Sequence, residues 1–292
     1  LASIYVAITN QSNLNISPEA GYRYSMEQNF TTMSTRNQYP VNNLLNPFAW
    51  ARFISEVKKG LLKNHSYKKP QQAKAPEWEL FEKGNGLFLS GKYQEAINTY
   101  TKAIELNQKV ALFYNNRGFA YRHLENFKKA IEDYNKAIVL DPAYAGAYNN
   151  RGIAYGKLGN HTQEIADYNK AIELDPDDAV VYYDRGIAHG KIGRYQQELA
   201  DYNKALQLDP KLTAVYYKRA ATHCRLGNFY QAIADFDKAI EVNPKDADAY
   251  YNRGVAYGRT GNYDKELEDI KRAARLGHAG ARQLLRKQGL TW

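Results

Sequence analysis

The stretch NRGIAYGKLGN, residues 150–160, returns 34 residues later as DRGIAHGKIGR, residues 184–194, and once more as NRGVAYGRTGN, residues 252–262. The same interval of 34 separates four prolines: Pro142, Pro176, Pro210 and Pro244. A fixed interval of this length is typical of chains that stack one supersecondary unit many times. The interval divides most of the chain into six units: 77–110, 111–144, 145–178, 179–212, 213–246 and 247–280.

Each unit has the pattern of two helices joined by a turn, as residues 145–178 illustrate. One face of the first helix carries residues at helical spacing: Tyr148, Gly152 and Tyr155. Gly159 follows, at a place where a left-handed residue that ends a helix needs no Cβ. The second helix repeats the spacing with Ile165, Tyr168, Ala171 and Ile172. Because proline restricts the residue before it, Asp175-Pro176 ends that helix, and the sequence predicts an all-α protein.

At these residues the chain resembles the tetratricopeptide repeat family. The resemblance rests on an aromatic, a small and an aromatic residue on the first helix, then a small residue, an aromatic residue and alanine before a proline: Tyr114, Gly118, Tyr121, Ala130, Tyr134, Ala137 and Pro142. It covers 77–280 and implies a right-handed α-solenoid of six helix-turn-helix repeats. A helix within 281–292 is expected to cap the sixth repeat, because terminal repeats need a polar outer face.

Four units depart from the family pattern. The first has Gln108 where later units have proline, and three others carry glutamate where the family has a small residue: Glu164, Glu198 and Glu266.

An arginine and an aspartate return together in five units. Each pair is separated by sixteen residues: Arg117 and Asp133, Arg151 and Asp167, Arg185 and Asp201, Arg219 and Asp235, and Arg253 and Asp269. In the first unit both are replaced, by Lys83 and Thr99. Since antiparallel helices bring these positions together, we expect structural ion pairs, joined by the three glutamates. Five copies of one residue argue against catalysis, because an active site needs one unique constellation.

The sequence predicts no enzyme, no metal site and no cofactor. Cys224 is the only cysteine, so the chain has no internal disulfide and no cysteine-based zinc cluster. His189 and His223 occupy a position that holds tyrosine in other units, which favours packing between helices over catalysis. No glycine-rich phosphate loop or convergent acid–base pair occurs outside the repeated framework.

The resemblance implies that the first helices line a concave groove that binds a peptide or a partner surface. Two registers are then expected to face the groove: Asn115, Asn149, Tyr183, Tyr217 and Tyr251, and beside them Asn116, Asn150, Asp184, Lys218 and Asn252. A third register near the helix ends is basic: His123, Lys157, Lys191, Arg225 and Arg259. This register indicates either an acidic partner or cations that offset the negative end of each helix dipole.

Chaperone-binding members of the family clamp a C-terminal carboxylate with lysine, asparagine and arginine from three consecutive repeats. Asn85 and Asn116 match the two asparagines of this clamp. Phe81 and Gly146 stand at the places of the lysines, and Asn150 at the place of the arginine. The comparison therefore argues against capture of a chaperone tail.

Positive charge is concentrated at the two ends of the chain. Residues 1–76 and 271–292 each carry a net charge of +6, whereas residues 77–270 carry −3. No nucleic-acid-binding module is apparent, so no specific nucleic acid is expected as a partner.

Residues 1–46 are rich in Asn, Ser and Thr, which predicts a poorly ordered segment. Residues 47–76 predict an amphipathic helix and a Pro/Lys linker, with 48–63 docking on the repeats or contacting a membrane surface.

The function predicted from the sequence is a protein-interaction scaffold or adaptor. The alternative is a regulatory or substrate-recruiting region of a larger enzyme or membrane-associated complex, which the Leu at position 1 leaves open. A cytoplasmic location is favoured, with a secreted or membrane-associated one also open.

Overall fold

The computed structural model describes residues 75–292, which form thirteen α-helices. In chain order these are α1 (Pro76–Leu89), α2 (Tyr93–Leu106), α3 (Ala111–His123), α4 (Phe127–Leu140), α5 (Ala145–Lys157), α6 (His161–Leu174), α7 (Ala179–Lys191), α8 (Tyr195–Leu208), α9 (Thr213–Arg225), α10 (Phe229–Val242), α11 (Ala247–Arg259), α12 (Tyr263–Arg275) and α13 (Ala279–Lys287). The segments 1–46 and 48–63 lie outside the described residues, and α1 begins with Pro76 in its first turn, where a missing N–H costs nothing.

The helices pack in consecutive pairs that stack in chain order. The first and second helix of each pair make the most extensive contact, from α1 against α2 to α11 against α12. Each second helix also packs on the first helix of the next pair. Contacts therefore run between neighbours along the chain, which is the architecture of a solenoid. The prediction of an all-α solenoid is confirmed.

A buried ring from the second helix fills the space within each of the first five pairs. The rings are Tyr100, Tyr134, Tyr168, Tyr202 and Phe236, each at most 2% exposed. Opposite each ring the first helix has glycine or alanine, and a Cβ added to Gly186 would lie 2.7 Å from Cε1 of Tyr202. The small residue is needed because the ring lies directly against the helix backbone.

The turns within the pairs require a left-handed residue. Gly91, Gly159, Gly193, Gly227 and Gly261 occupy this position with φ between 75° and 82°. In the second pair Glu125 takes the same place with φ of 58°, the one positive φ of a non-glycine residue among residues 75–292. A Cβ is unfavourable in this conformation, because it comes too close to the following carbonyl oxygen.

Replacing Glu125 with glycine is expected to stabilise the fold by about 1 kcal/mol, since glycine adopts a left-handed φ without this strain. Urea unfolding followed by circular dichroism measures the change. The reverse substitution in the next pair, Gly159→Glu, is expected to destabilise by a similar amount. Destabilisation of the fold by Glu125→Gly would contradict the strain argument.

The last helix, α13, covers the end of the sixth pair. Ala281 and Leu285 are completely buried, and they pack against α12. The capping helix predicted within 281–292 begins at Ala279 and ends at Lys287, and Leu284 is partly buried. It stops there because Gly289 turns the chain with φ of 68°.

Candidate functional site

The five arginine–aspartate pairs form bidentate contacts between the two helices of a repeat. In each pair the arginine Nε donates to one carboxylate oxygen at 2.7–3.0 Å and Nη2 donates to the other at 2.6–2.8 Å. The aspartates, at 4–5% exposure, are buried. The hydrogen bond to the carboxylate raises the pKa of Arg117, Arg151, Arg219 and Arg253. These pairs lie inside the scaffold, where two N–H groups match two carboxylate oxygens.

Each arginine also reaches the preceding repeat, a contact that was not predicted from the sequence. Nη1 donates to a side-chain oxygen sixteen residues earlier: Thr101, Asn135, Asn169, Asn203 or Asp237, at 2.6–3.1 Å. The guanidinium lies over a tyrosine ring of its own helix as well: Tyr114, Tyr148, Tyr182, Tyr216 or Tyr250, at 5.4–5.7 Å from the ring centroid. One side chain thus connects three helices.

The three glutamates do not join this seam of arginines and aspartates, contrary to expectation. A Cβ added to Gly156, Gly190 or Gly258 would overlap the carboxylate of Glu164, Glu198 or Glu266, respectively. The other three repeats have alanine at the glutamate position, and Phe88, Arg122 or Cys224 at the glycine position. The glutamate carboxylate therefore occupies space on the first helix that a larger side chain takes in the other repeats.

Asparagine side chains form a hydrogen-bonded chain along the first helices. Asn116 donates to Asn85 at 3.0 Å, Asn115 donates to Asn116 at 3.2 Å, and Asn150 donates to Asn115 at 3.1 Å. We expected Asn115, Asn149 and Asn150 to be exposed, but they are 5–7% exposed, because neighbouring repeats bring their amides together. Within the described chain, the side-chain oxygens of Asn149 and Asn150 accept no hydrogen bond.

The three tyrosines of the same register are half-buried and pack on neighbouring residues. Tyr183 lies beside Tyr202 with ring centroids 5.9 Å apart, and Tyr251 stacks on His278 of the cap at 4.1 Å. Tyr217 accepts a hydrogen bond from Asn252 Nδ2 at 2.9 Å, and burial raises the pKa of its phenol. Their rings are therefore held in place, with part of each still exposed.

The basic register at the ends of the first helices is exposed at Lys157, Lys191, Arg225 and Arg259. Lys191 Nζ lies 3.3 Å from Glu164 Oε1, and Arg225 lies over the ring of Tyr195 at 5.9 Å. Lys157 and Arg259 are in the last turn of α5 and α11, where a cation interacts favourably with the helix dipole.

His189, His223 and Cys224 are in surroundings that favour their neutral forms. Burial lowers the pKa of His189 and His223 and raises that of Cys224. A reactive cysteine requires the opposite shift. Residues 75–292 contain no group of three His, Cys, Asp or Glu side chains placed to hold a metal ion. None of the helices in that range has the length and apolarity needed to cross a membrane.

Comparison with protein families identifies the repeat. A family described as "TPR repeat" matches residues 84–124, 120–159 and 222–261. Families described as "Tetratricopeptide repeat" match 145–178, 167–200 and 247–276. Together these matches span more than half of the chain and fall on the helix pairs.

Curated relatives match over short segments. Dynein axonemal assembly factor 4 of Pongo pygmaeus is 46% identical over 56 residues, which are 19% of this chain and 13% of that protein. Serine/threonine-protein phosphatase 5 of Solanum lycopersicum is 49% identical over 47 residues, 16% of this chain and 8% of that protein. The matched segments therefore span only a small part of either relative.

Solved structures match over most of the described chain. YrrB, described as a TPR protein with an unusual peptide-binding site, has a TM-score of 0.58 and 26% identity, over 65% of this chain and 97% of that one. MamA has a TM-score of 0.54 and 25% identity, over 62% and 97%. PilW, a type IV pilus biogenesis factor, shares the fold with a TM-score of 0.63 and 21% identity, over 73% and 100%. The chain belongs to the tetratricopeptide repeat family of helical protein-interaction scaffolds.

Proposed function

We propose that the chain binds a peptide or an extended segment of a partner protein in the concave groove, the face lined by the first helices α1, α3, α5, α7, α9 and α11. Support comes from the two groove registers on these helices, in which most residues are asparagine or tyrosine. Tyrosine offers a rigid contact area with a polar tip, and asparagine both donates and accepts hydrogen bonds. The similarity to YrrB, which has a peptide-binding site, agrees with this proposal.

The observation that carries the proposal is the pair of unsatisfied amide oxygens on α5. Asn149 and Asn150 are buried, yet their Oδ1 atoms receive no hydrogen bond within the described residues. Leaving a buried acceptor unpaired is costly, so such atoms call for a donor from elsewhere. Backbone N–H groups of a bound peptide are donors of this kind.

The basic register at the ends of the first helices, here called the groove rim, favours acidic side chains in the partner. Lys157 and Arg259 are exposed and have no carboxylate within ion-pairing distance in the described part of the chain. A chaperone carboxylate clamp is not part of this proposal, because Phe81 is buried where the clamp has a lysine, and Gly146 has no side chain.

A scaffold within a larger enzyme or complex is the second candidate. The phosphatase segment that matches this chain favours it, since it places a related repeat in an enzyme. The match does not assign phosphatase activity to this chain, because it covers 8% of that phosphatase.

Affinity capture tests the groove. Tyr183→Ala, Tyr217→Ala and Tyr251→Ala together are expected to reduce recovery of groove partners by about tenfold, since buried aromatic anchors dominate such interfaces. The matched control is Tyr230→Ala with Tyr263→Ala, which removes two tyrosines that are 75% and 70% exposed on second helices. Circular dichroism checks that both variants keep the helical content of the intact chain. Equal recovery of partners by a folded groove variant and the intact chain would contradict the proposal.

A further inference from the structure

Glu164, Glu198 and Glu266 occupy the same position in three repeats, here called the glutamate register. Glu164 shows which groups can pair with a carboxylate at this position. It is 3% exposed, and each of its oxygens has a partner. Nδ1 of His161 lies 2.7 Å from Oε2, and Nζ of Lys191, from the next repeat, lies 3.3 Å from Oε1. At Glu164 the charge of the buried carboxylate is therefore balanced by Lys191, a cation of the groove rim.

Glu198 has the same position in the next repeat without the same partners. It is 4% exposed, and its Oε1 accepts a hydrogen bond from the Tyr202 hydroxyl at 3.0 Å. Its Oε2 has no hydrogen-bond partner within residues 75–292. Tyr195 stands where the earlier repeat has His161, and Arg225 stands where it has Lys191. Arg225 lies over the Tyr195 ring and makes no ion pair within 4.0 Å of Glu198.

Two features of the surroundings of Glu198 bear on whether a cation can reach it. The adjacent residue of the first helix is Gly190, which has no side chain to cover the carboxylate and is itself partly exposed. Arg225 is exposed, and a single cation–π contact at 5.9 Å holds it weakly. A buried carboxylate that lacks a counter-charge is unfavourable, so a partner that supplies one binds with a gain.

We propose that Glu198 receives a lysine or arginine side chain of a peptide bound in the concave groove, in the place that Lys191 takes at Glu164. This inference rests on the proposed function of the groove. It adds a cationic residue to the chemistry of the partner, beside the acidic residues that the exposed Lys157 favours. A partner that carries both an acidic and a basic residue fits the two sites.

Fluorescence anisotropy with two labelled peptides tests the assignment. Both are alanine-based nonapeptides, one with lysine and the other with glutamate at every third position. The intact chain is expected to bind the lysine peptide, and Glu198→Gln is expected to weaken that binding about tenfold, the usual effect of losing a hydrogen bond to a charged group. Glu164→Gln is the control and is expected to leave the affinity unchanged, since Lys191 already pairs with that residue.

Two further variants separate binding from folding. Gly190→Cys with Glu198→Ala installs the residues of the fifth repeat, Cys224 and Ala232, and is expected to fold while losing the affinity for the lysine peptide. Tyr263→Ala, at a tyrosine that is 70% exposed on a second helix, is expected to retain that affinity.

Two sets of results would overturn the assignment of Glu198 while leaving the groove proposal intact. The first is equal affinity of the intact chain and Glu198→Gln for the lysine peptide. The second is failure to bind this peptide by a chain whose groove captures partners. If capture is also insensitive to the groove tyrosines, the proposed function itself fails.

Discussion

Replacing Arg151 with alanine is expected to destabilise the fold by about 3 kcal/mol, because the change leaves a buried carboxylate without its partner. Asp167 is 4% exposed, and it receives both of its strong hydrogen bonds from this guanidinium. The same substitution removes the bond to Asn135 in the preceding repeat. Urea unfolding of the intact chain and the variant, followed by circular dichroism, measures the loss.

A double-mutant cycle isolates the pair. Arg151→Ala with Asp167→Ala is expected to be less destabilising than the sum of the single changes, since the double variant has no unpaired buried charge. Lys170→Ala, which removes a pair between two solvent-accessible side chains on α6, is the control and is expected to cause no measurable change. Additive single changes, each with a small effect, would contradict a structural role for the pair.

Replacing Tyr134 with alanine is expected to destabilise the fold by about 3–5 kcal/mol, the usual cost of deleting a large buried ring. Tyr134 is completely buried between α3 and α4, and a Cβ added to Gly118 would lie 2.9 Å from its ring. The cavity cannot refill easily, because the neighbouring residues Ala130 and Ala154 are small. Thermal or urea unfolding measures the change.

Two controls accompany this prediction. Tyr134→Phe is expected to cost less than about 1.5 kcal/mol, since Phe236 fills the corresponding place in the fifth repeat. Tyr230→Ala, at a tyrosine that is 75% exposed, is expected to change stability by less than about 0.5 kcal/mol. Similar losses for Tyr134→Ala and Tyr230→Ala would refute the assignment of Tyr134 to the core.

The fold could be predicted because one local pattern is repeated. Each repeat shows a helical period, a small residue opposite an aromatic ring, and a turn residue. A departure from this pattern in one repeat therefore does not hide the fold, because the other repeats keep the pattern. The exact end of the capping helix could not be predicted in this way. That end depends on the left-handed conformation of Gly289 in a segment with no repeated counterpart.

The candidate site could be predicted only in part. The spacing of sixteen residues pointed to contacts between arginine and aspartate, and the structure places these groups 2.6–3.0 Å apart. Each arginine also contacts a residue sixteen positions before it, as Arg151 contacts Asn135. The same spacing of sixteen could have predicted this contact from the sequence. The burial of Asn115 and Asn150 could not be predicted from the sequence, because it arises from hydrogen bonds between side-chain amides of successive repeats.

Site-specific photo-crosslinking tests the concave groove most directly. A phenylalanine that carries a benzoyl group at the para position, where tyrosine has its hydroxyl, is placed at position 217 on α9 or at position 230 on α10, and the chain is irradiated with its partners. We predict crosslinks to a partner from position 217 and none from position 230. Crosslinks from position 230 alone would place the binding surface on the second helices and contradict binding in the concave groove.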